Sequence, residues 1–269
     1  MPLTESLQRS QTGKVECPQF RNGLAIAGED VVMAFTYTPL CPNAAILDQT
    51  TDCLSDVFSD LSPHHRGRAI VEFTGEACRH WLLLHVGPAG ASAVPHMMAA
   101  LEQRTMLLTR LQDAGLSVDV ASPEACRELV SGFPQPHIED RRVVDHEGRT
   151  VVTLTMHESG DVTQPGITRE LVDFLCNRGR VAYLVLDFRN EAGGLSRFDL
   201  TLVLTACDET DGRLAAREVE DMVFDSLGAL ARRDTSRRSV ATLHRAAPFA
   251  RAKAMLPACA ANIADLFPL

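Results

Sequence analysis

Apolar positions along this chain follow two periodicities, and they recur twice in the same order. Val31 to Thr38 and Val151 to Glu158, 120 positions apart, both read as strands. Each is followed by a helix pattern, a strand, a second strand introduced by a charged turn, a longer helix and a short last strand. In the first half, Leu24 to Ala27 and Val31 to Thr38 flank Gly28-Glu29-Asp30, the composition of a tight turn. Ile46 to Leu61 sets Leu47, Leu54, Val57, Phe58 and Leu61 at helical spacing, with Asp48, Asp52, Asp56 and Asp60 facing water. Ala69 to Phe73 is a strand. Trp81 to Val86 is almost wholly apolar, as a strand covered on both faces would be. Met97 to Ala114 reads as a second helix, with Gly115 placed to cap it. Val118 and Val120 make a short strand. Ser122-Pro123-Glu124 then opens a helix to Val130, serine as N-cap and proline at the first helical position.

The second half keeps this order. Val143-Val144 and Thr150 to Met156 flank a turn at Asp145-His146-Glu147-Gly148. Ile167 to Cys176 is a helix pattern. Val181 to Phe188 and Phe198 to Ala206 are strands around a glycine-bearing loop. Leu214 to Ala231 is a helix, Ser239 to Leu243 a returning strand, and Pro248 to Leu256 a short last helix. Gly132 to His137 carries two prolines and marks the boundary. The expected fold class is α+β: two tandem ferredoxin-like β-α-β-β-α-β halves packed as one globule. The expected organisation is a flexible lead-in over 1–20, a first half over 21–131 and a second over 138–269.

Composition narrows the classes. The 269 residues, 45% of them hydrophobic, suffice for one large domain or two small ones. The net charge of -9 argues against a nucleic-acid groove, which needs clustered cations. Lys14 and Lys253 are the only lysines. The eight cysteines (Cys17, Cys41, Cys53, Cys78, Cys126, Cys176, Cys207 and Cys259) are scattered without a Cys-x-x-Cys pair. They read as free thiols in a reducing, cytoplasmic compartment. No apolar run approaches the roughly 18 residues of a membrane span, and the polar N-terminus has no signal-peptide core.

Groups able to carry chemistry are few, and each has a plain structural explanation. His64-His65 resembles the paired-histidine motif of acyltransferases, but no aspartate follows shortly downstream; it reads as a polar turn. His80 and His85 point to opposite faces of one strand and cannot share a metal. His137, Glu139, Asp140, Asp145 and His146 form the densest set of possible metal ligands, yet no spacing matches an established site. His157-Glu158 with Gly160-Asp161 ends a strand, where α/β enzymes often place acids and bases. Ser92 lacks the second glycine of a nucleophile elbow, and no glycine set forms a phosphate cradle. Arg232-Arg233 and Arg237-Arg238 are the only basic cluster, expected at a helix C-terminus where cations complement the dipole. No catalytic, cofactor-binding or metal residue is assigned, and no cofactor is expected.

One segment resembles a known family. Arg79-His80-Trp81-Leu82-Leu83-Leu84-His85, a small-residue loop, the long helix from Met97, and Ala114 to Val118 with Pro123 to Leu129 are similar to the characteristic region of EccE. EccE is a membrane-complex component of the mycobacterial type VII (ESX) secretion system. Ala254-Met255-Leu256-Pro257 is similar to that family's terminal A-x-L-P pattern. The two N-terminal membrane spans of the family have no counterpart here. The resemblance implies assembly within a secretion machine and brings no catalytic residues.

The expected function is therefore a non-enzymatic scaffold, an EccE-like component or accessory of type VII secretion. Its expected partners are other protein subunits, with a homodimer as a further option. The alternative is a cytoplasmic acyl- or glycosyl-transferase-like enzyme with a site between the halves. A deep pocket lined by His64, His157 or Asp161 would favour the enzyme; a broad apolar patch would favour the scaffold.

Overall fold

Every described strand of this protein belongs to one antiparallel sheet. The structure, a computed structural model, describes residues 18–21, 24–27, 30–39, 52–58, 66–74, 77–88, 93–139, 142–157, 175, 182–190, 196–227, 230–251 and 256–257. The strands are β1 (Gln19–Arg21), β2 (Leu24–Ala27), β3 (Asp30–Pro39), β4 (Arg66–Thr74), β5 (Ala77–Pro88), β6 (Leu116–Val120) and β7 (His137–Glu139). They continue as β8 (Arg142–Val144), β9 (Thr150–His157), β10 (Ala182–Asn190), β11 (Ser196–Ala206), β12 (Leu230–Arg233) and β13 (Leu256–Pro257). Four helices accompany them, two long and two short: α1 (Ala93–Asp113), α2 (Pro123–Gly132), α3 (Glu209–Leu227) and α4 (Ser236–Ala246). Residues 52–58 are also helical.

The strand order is β1-β2-β3-β5-β4-β10-β11-β9-β8-β7, with β6 on β3, β12 on β9 and β13 on β11. This corrects the expected fold class. The chain does not form two tandem ferredoxin-like halves packed against each other. β4 and β10 pair antiparallel from Arg66↔Arg189 to Phe73↔Ala182, and that ladder makes the sheet continuous. The period-2 pattern located the strands but carried no information on which edges meet, because edge pairing is a long-range choice.

Alternation along the strands builds two cores. One holds Met33, Phe35, Val71, Leu82, Leu84, Leu184, Leu186 and Leu202 with Leu107 and Leu111 of α1 and Val219 and Val223 of α3. The other holds Ile70, Trp81, Leu83, Val185 and Val203 with Cys126, Leu129 and Val130 of α2 and Leu243 and Ala246 of α4. Helices thus cover both faces, so an antiparallel sheet shows strands such as β4 that are buried almost throughout.

Local signals explain the short helices. Ser122 caps α2 by accepting from the Ala125 N–H at 3.1 Å, with proline in the first turn. The expected strand over Ser239 to Leu243 is instead part of α4. Ser239, Thr242, Leu243 and Ala246 are its buried residues, an i, i+3, i+4, i+7 spacing that belongs to a helix. The helix expected to reach Ala231 ends at Leu227, and Leu230–Arg233 pairs with β9.

Trp81 is 1% exposed and does not pack on α1. It alternates with Leu82 and so lies in the core under α2 and α4, while α1 covers the other face. Among the described residues its indole N–H has no hydrogen-bond partner. Among the described residues Cys53, Cys78, Cys126 and Cys207 form no disulfide; the other four cysteines lie outside them.

Candidate functional site

Among the described residues a concavity lies at the outer edge of β9, beyond β11 from the β4·β10 seam. Along that edge β12 pairs with Leu154 to His157, and β8 reaches only Thr150. Between them the edge opens into a cleft of about 400 Å3, lined from β8, β9, β12 and the starts of α3 and α4. Its apolar wall includes Val143 and Val151. Arg142, Arg233 and Glu209 stand around it, and Asp234, Thr235, Ser236 and Ser239 complete it.

Asp234 is the buried polar group of this cleft. Its carboxylate accepts from Thr153 Oγ1 at 3.0 Å and Thr242 Oγ1 at 2.9 Å, and Arg238 Nε lies 3.5 Å away. Its own N–H donates to the Thr153 carbonyl at 2.9 Å. Ser239 Oγ sits 2.9 Å from Thr153 Oγ1. These bonds fasten the start of α4 to β9 and satisfy a carboxylate that burial would otherwise penalise. Nothing in the sequence marked this residue, because its partners come from positions 81 and 8 residues away.

A second polar centre lies at the seam. Arg68 on β4 and Asp187 on β10 are cross-strand neighbours, and the guanidinium grips the carboxylate with Nε–Oδ1 2.6 Å and Nη2–Oδ2 2.8 Å. The remaining N–H groups donate to the carbonyls of Arg245 at 2.7 Å, Ala250 at 3.0 Å and, more closely still, Ala247. A fully buried arginine therefore ties the end of α4 to the sheet centre. Nearby, Tyr183 donates to Glu72 at 3.2 Å, and Arg79 pairs with the same carboxylate at 2.9 Å. Burial, then the Glu72 charge, push the Tyr183 phenol far above its usual range, so it acts as a donor only. Gly132 makes room for this contact, since an added Cβ would stand 3.2 Å from the Tyr183 hydroxyl.

The residues singled out in the sequence are not brought together. His64, His65, Ser92, Asp140, Glu158 and Asp161 lie outside the described residues, and His157 ends β9. His80 lies against Tyr37, ring centroids 5.1 Å apart. His85 is buried on the opposite face with Nδ1 3.6 Å from Asp30. His137 and Glu139 are exposed on β7. Asp145 is consumed by its own turn, accepting from the Glu147 and Arg149 N–H groups at 2.9 Å, with Gly148 at φ 76 completing the reversal. Among the described residues no cluster suited to a metal ion occurs. The basic cluster is not at a helix C-terminus. Arg232 and Arg233 are in β12, and Arg237 and Arg238 lie in the first turn of α4, where they oppose the dipole.

No protein-family model matches the chain, and no curated protein does. Among solved structures, a variant of berberine bridge enzyme in complex with (S)-reticuline aligns at 13% identity and TM-score 0.31, over 81% of this chain and 41% of that one. A protein of unknown function from Galdieria sulphuraria aligns at 11% identity and TM-score 0.23, over 77% of this chain and 98% of that one. The chain thus spans less than half of the berberine bridge enzyme. No helix of the described residues is long and apolar enough to cross a membrane.

Proposed function

We propose that this chain is a non-enzymatic assembly protein, an EccE-like component or accessory of a type VII secretion machinery working on the cytoplasmic side. The observation that supports the reading is apolar exposure on the two helices that cover one face of the sheet. Met98 and Met106 on α1 are 56% and 57% exposed, and Leu214 and Phe224 on α3 are 58% and 57% exposed. Methionine repacks readily against varied partners, and methionine and aromatic residues are enriched at interfaces. The similarity of Arg79 to His85 and of the following helix to EccE names the machinery.

Co-expression with the membrane-complex subunits of a type VII system tests it. The subunits should co-purify with a tag on this chain. They should be lost from the Met106→Glu/Phe224→Glu variant, whose melting temperature should match the wild type. Wild-type chain that elutes without any of those subunits would sink the secretion reading. Elution instead as a stable dimer, broken by the same substitutions, would move the assembly role to self-association.

A further inference from the structure

We propose that the cleft at the outer edge of β9 binds a short aliphatic carboxylate, gripped by Arg142 and Arg233. Two arginines and two carboxylates line the cleft. Both carboxylates are already committed: Glu209 pairs with Arg213, and Asp234 takes two threonine hydroxyls and Arg238. Among the described residues neither the Arg142 nor the Arg233 guanidinium has an ion-pair partner. They come from different strands, β8 and β12, that flank the same opening. The charge left over in the cleft is positive, in a protein whose net charge is -9.

Both cations act across this space. Glu209's carboxyl is held below its usual range first by its bond to Arg213 and, further down, by the charges of Arg233 and Arg142. Two forked guanidiniums are matched to a carboxylate, which accepts in-plane pairs of N–H bonds. Thr235 adds an uncommitted hydroxyl, because it stands at the N-cap of α4 yet makes no side-chain capping bond. The lining also includes apolar side chains: Val143 and Val151 are 4% and 3% exposed. A few polar groups fixing orientation among apolar ones is the ordinary build of a small-molecule site. The ligand that satisfies both has a carboxylate head and a short aliphatic body.

Isovalerate is a suitable probe, with isovaleramide as its neutral isostere and inorganic phosphate as an anion without a body. Calorimetry on the full chain should show saturable one-site binding of isovalerate and none of isovaleramide. Methyl resonances of Val143 and Val151 should shift in step. Arg142→Gln and Arg233→Gln should each weaken binding by about tenfold or more, the scale of a lost charge-assisted bond. Unchanged melting temperatures would show that the fold survives those changes. Isovaleramide binding as well as isovalerate would overturn the arginine role. Phosphate binding as well as isovalerate would overturn the aliphatic specificity. Absence of saturable isovalerate binding up to millimolar concentration would overturn the site itself.

Discussion

The two faces of the sheet are held in different ways, although they alternate along the same strands. The α1/α3 face is joined by apolar packing under helices of 21 and 19 residues. The α2/α4 face has helices of 10 and 11 residues and a smaller apolar cluster. It is this second face that carries Arg68, Glu72 and Asp187, which alternate with Ile70 and Val185. Hydrophobic burial scales with area and is non-directional. A long helix can be fixed by area alone. A short helix offers less, and here directed bonds add to it: Arg68 holds the end of α4, and Asp234 holds its start. The lesson is that charge is buried where apolar area is short, as Arg68 with Asp187 and Glu72 with Arg79.

The largest test removes the arginine. Arg68→Met leaves Asp187 buried without its cation and strips donors from the carbonyls after α4. Breaking a buried pair in this way costs about 3–5 kcal/mol, a large share of an ordinary stability of roughly 5–15 kcal/mol. Urea unfolding would measure it. The double variant Arg68→Met/Asp187→Leu should recover much of the loss, since the uncompensated charge is gone. Equal instability of the single and double variants would show that the carbonyl bonds to α4, and not the ion pair, hold the joint.

Trp81→Ala tests the apolar part of the same face. The side chain is 1% exposed, and removing it should cost about 3–5 kcal/mol. The sharper readout is location. Hydrogen exchange should quicken in α2 and α4 and stay unchanged in α1, since Trp81 and α1 lie on opposite faces. Loosening of α1 would contradict the division into two cores. On the other face Gly67 is the sensitive position: a Cβ there would stand 2.0 Å from the Phe188 ring.

His85 gives the face a pH dependence. Its ring is buried beside Asp30, Arg66, Arg68 and Asp187. Burial first, offset by Asp30, places its folded pKa below the ordinary 6.5. A depressed folded pKa means that the unfolded chain takes up the proton first. The contribution is therefore complete above 6.5 and is lost as pH falls from there toward the folded value. Asp30, whose folded pKa is also lowered, first by the neighbouring His85, adds a second loss as pH falls below 3.8. Melting temperature should fall between about pH 7 and 5, and His85→Asn should flatten that slope. An unaltered slope in the variant would place the sensitivity elsewhere.

What the sequence disclosed follows the range of the forces involved. Ser122-Pro123 named the start of α2 because capping is local. The apolar run at Trp81 named a strand covered on both faces. Alternation could not say that β4 would meet β10, nor on which face Trp81 would fall, because both depend on pairing between distant segments. The candidate site was hidden for the same reason. Asp234 reads as one charge in a polar stretch, and only folding brings Thr153 and Thr242 to it. Arg142 and Arg233 stand 91 positions apart. The histidines stood out in the sequence as possible bases and metal ligands, and the structure puts His80 and His85 on opposite faces of the sheet.

The smallest test compares the starts of the two short helices. Ser122 and Thr235 occupy equivalent N-cap positions, both in extended backbone. Ser122 accepts from the Ala125 N–H; Thr235 makes no side-chain cap bond. Ser122→Ala should cost about 1 kcal/mol, the usual value of a lost cap. Thr235→Ala should cost much less, because Asp234 already ties the start of α4 to β9 and no capping bond is broken. Isovalerate reverses the ranking. Thr235→Ala should weaken its binding while Ser122→Ala leaves it unchanged, since Thr235 lines the cleft and Ser122 does not. Equal stability losses in the two variants, with no change in binding for either, would show that Thr235 serves α4 alone and has no part in the cleft.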